Sequence, residues 1–316
     1  MKAFGLADES SSAGFLEIPV PEVGPGEVRI EVRASSVNGF DAVVAAGMAR
    51  GMMEHRYPVV VGKDFAGVIE MLGDGAAGFA VGDDVAGITP SEPFLSRGSF
   101  ADYLVVPAEG FIARTPAALE PEQAASVGLA ATSALLSVEA IEPSDGDLVL
   151  IVGATGGVGA YAIQLAAASG ATVIATGLPG DEVWLKELGA DEVVDYSGDD
   201  AAAVRGRHPE GVDALIDAVY LGDGFDTIAA LVKDGGKIAS VVGSADAEAL
   251  AGRGIAATNV NGQDDPVAFA KVLRMAAEGS LTVPITRTFT FEEIPEALGL
   301  TEKRHRLGKL AVTIAR

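Results

Sequence analysis

Hydrophobic positions follow two different rhythms along the chain. In the N-terminal part they alternate with polar positions or come in short runs. Glu27-Val28-Arg29-Ile30-Glu31-Val32-Arg33 alternates throughout, as a strand with one solvated face does. Pro19, Pro21, Gly24, Pro25 and Gly26 mark a turn before it. Further short apolar runs follow at Val59–Val61, Val68–Leu72, Val85–Ile88 and Tyr103–Val106, several of them separated by Gly and Asp. This pattern predicts a mainly antiparallel β region, a partly open barrel.

From about Pro121 long apolar segments alternate with helical ones. A helix is predicted over Gln123–Glu139, and Pro143–Asp147 then forms a turn. Buried strands are predicted at Leu148–Val152, Thr172–Thr176, Glu192–Asp195, Ala214–Asp217 and Lys237–Val242. The helices between them fall at Gly157–Ser169, Asp181–Leu188 and Gly222–Val232. This β-α-β alternation belongs to a doubly wound parallel sheet. A helix at Pro266–Glu278 is followed by short strands at Phe289–Phe291 and Leu310–Ile314, so the C-terminal segment is expected to rejoin the β region. The expected division is a β domain over 1–120, a sheet domain over 121–260 and the return over 261–316.

The stretch from Leu148 to Gly180 carries no charge and by length alone could span a bilayer. Its seven glycines, Pro179 and the polar Thr155, Gln164 and Ser169 fit strand, turn, helix and strand in a buried sheet better. Composition narrows the functions further. With 22 basic against 45 acidic residues the net charge is −23, which opposes binding to nucleic acid or anionic lipid. A small dinucleotide remains possible, since backbone amides can hold it. Among 316 residues there is no cysteine, which removes thiolate chemistry and thiolate metal sites. Asp8 and Glu9 interrupt the apolar start, so no secretory signal is expected and the location is read as cytoplasmic.

The strongest motif is Gly153-Ala154-Thr155-Gly156-Gly157-Val158-Gly159 after the apolar strand Leu148–Val152. It is an A-x-G-x-x-G dinucleotide fingerprint in its proper context, after a strand and at the start of a helix. Gly156 would let a pyrophosphate approach the backbone, and Gly159 would permit close helix–strand packing. The next strand ends at Thr176-Gly177 without the acid that usually binds a ribose 2′-hydroxyl. That leaves room for a 2′-phosphate, near which Tyr196 could stack. Asp181 and Glu182 would repel such a phosphate, so only a modest preference for NADPH over NADH is expected.

At this level the chain resembles the zinc-independent medium-chain dehydrogenase/reductases, in their quinone oxidoreductase-like branch. The matching blocks include Gly26-Glu27-Val28, Ala34-Ser35-Ser36-Val37-Asn38 with Asp41, Gly62-Lys63-Asp64-Phe65-Ala66-Gly67-Val68, and Gly98-Ser99-Phe100-Ala101-Asp102-Tyr103. Others are Ala130-Ala131-Thr132-Ser133-Ala134-Leu135, Leu188-Gly189-Ala190-Asp191 and Gly235-Gly236-Lys237. The resemblance implies a Rossmann domain inserted in a GroES-like catalytic β domain built from both ends of the chain. It also implies NADPH-dependent reduction of quinones, enones or enoyl thioesters, and a homodimer. Zinc-dependent relatives have a Cys and a His-Glu pair where this chain has Asn38 and Lys63-Asp64, so no zinc is expected. His55, His208 and His305 share no spacing and are read as surface residues.

The resemblance also supplies candidate site residues. Asn38 would orient nicotinamide or a substrate carbonyl, or else cap a turn. Thr132 matches the family's nicotinamide-side Thr, or bonds its own helix. Ala218, Val219, Val242 and Gly243 end strands and would wall the cofactor. Where many relatives carry a proton-donating Tyr this chain has Ala46-Gly47-Met48-Ala49. Tyr57 is the substitute candidate, with packing as its alternative role, and Lys63 is either an acid or a surface charge. Lys303-Arg304-His305-Arg306 with Lys309 reads as a basic helix end, or else as a site that attracts an acyl-carrier or nucleotide phosphate. The leading function is quinone or enone reduction. Enoyl-thioester reduction, or nucleotide binding without turnover, stands behind it.

Overall fold

The computed structural model describes every residue except Asp264, Glu302, Arg304, Ala315 and Arg316. The chain divides into two units, one of 1–129 with 265–316 and one of 130–264. In the first unit, β1 (Lys2–Leu6) and β2 (Gly14–Glu17) pair antiparallel. The alternating segment becomes β3 (Glu27–Val37), whose inward positions Val28, Ile30 and Val32 are buried. Beyond Ala34 both faces of β3 are covered, which brings Ser35 and Ser36 inside. Helix α1 (Gly39–Ala45) follows, then β4 (Val59–Val60), β5 (Asp64–Leu72), β6 (Asp84–Ile88), β7 (Tyr103–Pro107) and β8 (Ile112–Arg114). Strand β5 starts four residues before the predicted Val68 because Asp64–Phe65 are buried and paired although only partly apolar.

Helix α2 (Pro121–Ile141) is longer than predicted and is broken at Gly128, where φ −24° and ψ −116° leave the helical region. The units divide one residue after that break, whereas the sequence placed the boundary at 120. Pro121 starts the helix, so no linker separates the units there. By length and composition α2 could cross a membrane, but 78 % of its most apolar window is buried inside the protein.

The second unit runs through β9 (Leu148–Val152), α3 (Gly157–Ala168), β10 (Thr172–Gly177), a 3-10 turn at Pro179–Asp181, α4 (Glu182–Glu187), β11 (Glu192–Asp195) and α5 (Asp200–Arg207). It continues with β12 (Val212–Asp217), α6 (Asp223–Ala229), β13 (Val232–Ser240), α7 (Ala247–Ala251) and β14 (Ala256–Asn259). Its strands are all parallel, in the order β11-β10-β9-β12-β13-β14. The order reverses about β9, so ligands of such sheets lie at the carboxyl ends beside it. The uncharged stretch thus resolves into β9, α3 and β10. Helix α6 ends at Ala229, before the predicted Val232, because the chain there is already pairing as β13. Strand β14 escaped prediction because Ala256, Thr258 and Asn259 are not a hydrophobic face; an edge strand needs only its backbone.

The chain then returns to the first unit through α8 (Pro266–Ala277), β15 (Ile285–Thr290), α9 (Ile294–Thr301) and β16 (Lys309–Thr313). Strand β16 enters between β15 and β3, in a sheet of order β15-β16-β3-β5-β6-β8, while β7 pairs with the first half of β3 on the edge opposite β5, the edge that β16 uses farther along. Ile30, Phe65, Phe100 and Val312 meet in its core. This interleaving matches the GroES-like sheet expected of the family, and the parallel sheet matches the Rossmann one.

Candidate functional site

In the second unit the site is built from backbone. Strand β9 delivers the chain to Gly153, whose φ of +76° favours glycine and turns the backbone toward α3. A Cβ at Gly159 would lie 2.3 Å from the Gly153 oxygen and 2.5 Å from Ala154 Cα, so the fold itself demands glycine there. Gly156 is different. A Cβ would meet only the Gly153 oxygen, at 3.3 Å, and its φ is an ordinary −77°. No side chain caps α3 at Gly156. The helix therefore presents first-turn amides at Gly157 and Val158 and the positive end of its dipole, which is how a phosphate is held. Ala154 and Thr155 are buried beneath the turn.

The next strand end is more committed than its sequence suggested. Thr176 is buried, and its hydroxyl accepts from Gly153 N at 3.1 Å and donates to Ile151 O at 3.4 Å. It braces the glycine turn from within. Gly177 has no room for a side chain, since a Cβ would sit 2.5 Å from Leu185 Cδ1. Tyr196 N donates to Gly177 O at 3.3 Å, which brings this half-buried Tyr to the strand end. Asp181 is not the free surface carboxylate that the sequence suggested. It is buried and accepts from Leu178 N at 2.7 Å, holding the 3-10 turn. Glu182 is exposed and paired with Lys186 at 2.7 Å. A cleft of about 350 Å³ opens here, lined among others by Gly177, Pro179, Glu182, Lys186 and Arg207.

At the ends of β12 and β13 two loops are clamped together. Asp217 accepts from Val219 N at 3.0 Å and Tyr220 N at 2.9 Å, and Ser240 Oγ donates to it at 3.1 Å. Ser240 Oγ in turn accepts from Val242 N and Ser244 N, both at 3.3 Å. Burial pushes the Asp217 carboxyl above its ordinary value, while those two amide bonds oppose the rise. Ala218 N donates to Val152 O at 3.1 Å, beside the glycine turn. The clamp leaves Val219 53 % and Val242 37 % exposed, next to the left-handed Gly243. Exposed aliphatic groups at the carboxyl edge of such a sheet suit a flat aromatic ligand ring.

In the first unit the candidate residues form a buried polar cluster. Asn38 precedes α1, and its side chain does not cap that helix. Its Nδ2 donates to Asp64 Oδ2 at 2.8 Å, and its Oδ1 accepts from Lys309 Nζ at 2.7 Å. Ser36 Oγ donates to Asp64 Oδ2 at 2.6 Å, and Leu129 N to Asp64 Oδ1 at 2.7 Å. Asp41 accepts from Asn38 N at 2.7 Å, and burial pushes its carboxyl up to about 7. Lys63 is not a surface charge. It is 4 % exposed and donates to Thr89 O and Ser91 Oγ, and burial lowers its ammonium to about 8 against the pull of Asp41 and Asp64. The sequence signalled Asn38 but not its partner Lys309, 271 residues away.

Other candidates fall elsewhere. Thr132 is fully buried in α2. Tyr57 packs on the core of the first unit, with its hydroxyl accepting from Arg50 Nε at 3.3 Å and its ring 5.9 Å from His55. His55, His208 and His305 are each half-buried rather than surface residues; His55 Nδ1 contacts Met53 O at 2.8 Å and His208 Nε2 contacts Glu192 at 3.2 Å. The basic run does not act as one unit. Lys303 follows α9 exposed, Arg306 is half-buried, Lys309 is interior, and Arg304 lies outside the described residues. The positions of zinc's usual Cys and His hold an amide and an ammonium already bonded to other groups, and among the described residues no three His, Cys, Asp or Glu gather as metal ligands.

Comparison with known proteins places these features. Residues 24–117 match the family model of an alcohol dehydrogenase GroES-like domain, and 188–312 that of a zinc-binding dehydrogenase. A chloroplastic quinone-oxidoreductase of Triphysaria versicolor is 33 % identical over 67 % of this chain, which spans 65 % of that protein, just under two thirds. A zinc-type alcohol dehydrogenase-like protein of Staphylococcus epidermidis is 33 % identical over 77 % of this chain and 73 % of its own. The solved quinone oxidoreductase of Coxiella burnetii superposes with a TM-score of 0.88 at 29 % identity, over 100 % of this chain and 99 % of that one. The chain belongs to the medium-chain dehydrogenase/reductases, in their quinone-oxidoreductase-like branch.

Proposed function

We propose that the protein is a zinc-independent reductase that passes hydride from a nicotinamide dinucleotide to a quinone or an α,β-unsaturated carbonyl compound. One observation supports this most. Gly156 stands at the uncapped start of α3, where a Cβ would meet one atom, the Gly153 oxygen at 3.3 Å, and where a pyrophosphate would need close approach.

When bound, the reduced dinucleotide would supply the hydride, a proton carried with two electrons. The protein contributes placement and polarity. Ala154, Thr155, Gly156, Gly157 and Val158 form the pyrophosphate cradle. Thr176, Gly177 and Tyr196 border the adenosine ribose, Thr176 by bracing the turn. Ala218, Val219, Val242 and Gly243 seat the nicotinamide, with Thr132 on its other side. Asn38 has one Nδ2–H committed to Asp64, which leaves the second to donate to a substrate carbonyl as negative charge grows on its oxygen. No Lewis acid is drawn into this scheme, since the amide and ammonium of Asn38 and Lys63 do not suit zinc. Tyr57 packs on the core of the first unit, and water is the proposed proton source. NADPH is preferred modestly, with Glu182 rather than Asp181 opposing its 2′-phosphate. A homodimer, by family resemblance, and a cytoplasmic location, read from the sequence, complete this reading.

The test is oxidation of NADPH and NADH against a panel holding a benzoquinone, a short enone and an enoyl thioester, before and after exhaustive chelation. Turnover of the quinone or enone, unchanged by chelation, is expected. Turnover of the thioester alone would move the assignment to an enoyl reductase. Tight nucleotide binding without consumption would make the protein a nucleotide-binding one, and stoichiometric zinc lost together with activity would end the metal-free mechanism.

A further inference from the structure

Lys309 is an unusual place for a charge. It lies in β16 with 2 % of its surface exposed, and its neighbours Leu310, Ala311 and Val312 are core residues. An ammonium has three donors, and here each has an acceptor: Asn38 Oδ1 at 2.7 Å, Val37 O at 3.3 Å and Asp64 Oδ2 at 3.4 Å. Burying such a pair seldom adds stability over an apolar replacement. Its geometry suggests what else it does.

The two ends of an Asn amide have nearly the same shape, so packing alone does not decide which end is which. At Asn38 charge decides. Lys309 stands at one end and Asp64 at the other. Turning the amide over would set N–H against an ammonium and a carbonyl oxygen against a carboxylate. Asp64 is itself fixed, by Ser36 Oγ on one oxygen and by Leu129 N on the other. Its second oxygen fills the space at the break in α2, where a Cβ on Gly128 would come within 2.2 Å of it.

We infer that Lys309 is a positioning residue for the reduction and acts through Asn38: with Asp64 it holds the amide in the one orientation that offers an N–H to the substrate carbonyl. Without the ammonium the amide oxygen loses its strongest partner, and the donor swings out of place. This rests on the reductase reading above.

The experiment is a double-mutant cycle on kcat with the best quinone or enone acceptor, using Asn38→Ala, Lys309→Met, their combination, and Lys309→Arg. Lys309→Met is expected to lower kcat by about 100-fold, the scale of a misplacement of about 1 Å. KM for the acceptor should change far less, and NADPH affinity by calorimetry should not change. Lys309→Arg should recover most of kcat, because it restores a cation at the amide oxygen. In the Asn38→Ala background, Lys309→Met should cost nothing further. Multiplicative losses in the double mutant would overturn the inference, as would a Lys309→Met enzyme of normal kcat. If Lys309→Met does not fold by itself, Asp64→Asn is made the common background, Lys309→Met and Asn38→Ala are introduced into it singly and together, and the same loss of additivity is expected. A wild-type enzyme inert toward every acceptor would refute the reductase reading instead, so the two failures are distinct.

Discussion

The turn at Gly153–Gly159 and the cluster around Asp64 are built from opposite materials. The turn offers backbone amides and has little side chain at all, so a ligand meets bare peptide and the end of a helix. The cluster offers charged and polar side chains that mostly satisfy one another before any ligand arrives. The turn is ready to bind because no side chain caps the helix start that it presents. The cluster is rigid because its groups are committed. A hydride-transfer enzyme needs both properties, an open cradle for a large anion and a stiff mount for a single directing group.

Breaking the mount should have the largest effect. Asp64→Ala removes the acceptor of Ser36, Asn38 and Leu129 and leaves Lys309 buried without its counter-charge. A loss of about 3–5 kcal/mol of unfolding free energy is expected in denaturant titration. Wild-type stability in that variant would show the cluster to be ornamental to the fold. Breaking the cradle should divide into two behaviours. Gly156→Asp places a carboxylate where the pyrophosphate would lie, and NADPH affinity by calorimetry should fall by at least ~100-fold, or about 2.7 kcal/mol, with the melting temperature nearly unchanged. Gly159→Ala should instead cost about 1–3 kcal/mol of stability by overpacking, because its Cβ meets backbone at 2.3 Å. If Gly156→Asp unfolds the protein while Gly159→Ala does not, the roles of the two glycines are reversed.

The pH dependence of stability sharpens the comparison on the side of the cluster. Burial raises Asp41 from an ordinary 3.8 to about 7. Between those values the folded chain keeps a proton that the unfolded chain releases, so this group's contribution is complete below pH 4 and is lost as pH rises to about 7. Lys63, lowered to about 8, acts in the other direction: above that pH the folded chain has shed a proton the unfolded chain retains up to about 10.5, and stability rises. Asp41→Asn should flatten the decline between pH 4 and 7 and leave the alkaline limb intact. A decline of unchanged slope in Asp41→Asn would place the titrating group elsewhere. The smallest effect belongs to Glu182→Gln on the exposed rim of the cleft. It should raise NADPH affinity slightly, more at low salt than at high, and leave NADH affinity alone. Equal gains for both cofactors would mean that Glu182 does not face the 2′-phosphate.

The contrast also explains what could be read from the chain beforehand. The fingerprint was legible because all its parts lie within a dozen residues and obey one local geometry, a strand, a turn and a helix start. Strand β9 could be bounded to the residue because a buried parallel strand is apolar on both faces and ends at glycine, and the edge strand β11 because the charges of Glu192 and Asp195 flank its two valines. The cluster was not legible as a unit. Asn38 and Lys63-Asp64 could be noticed as family positions, but Lys309 looked like the tail of a basic run, since nothing local announces that a lysine will be carried into a core. Asp181 misled for a related reason. An acid after a strand can face a ligand or cap the next turn, and the sequence pattern is the same in both cases. Likewise β14, an edge strand with a polar face, leaves no periodic trace.

The position of β16 between β15 and β3 has a consequence for how the protein is made. Asn38 and Asp64 emerge early in synthesis, and the lysine that bonds both follows 271 residues after Asn38. Until then the half of β3 that holds Ser35 and Ser36 is paired with β5 on one edge only, while residues 130–264 in between have every strand of their own sheet. A nascent chain would therefore complete its inner unit first and carry the outer one as an open, unpaired sheet edge. Pairings of such sequence separation close slowly, so this edge is where chaperone dependence and aggregation during expression should concentrate.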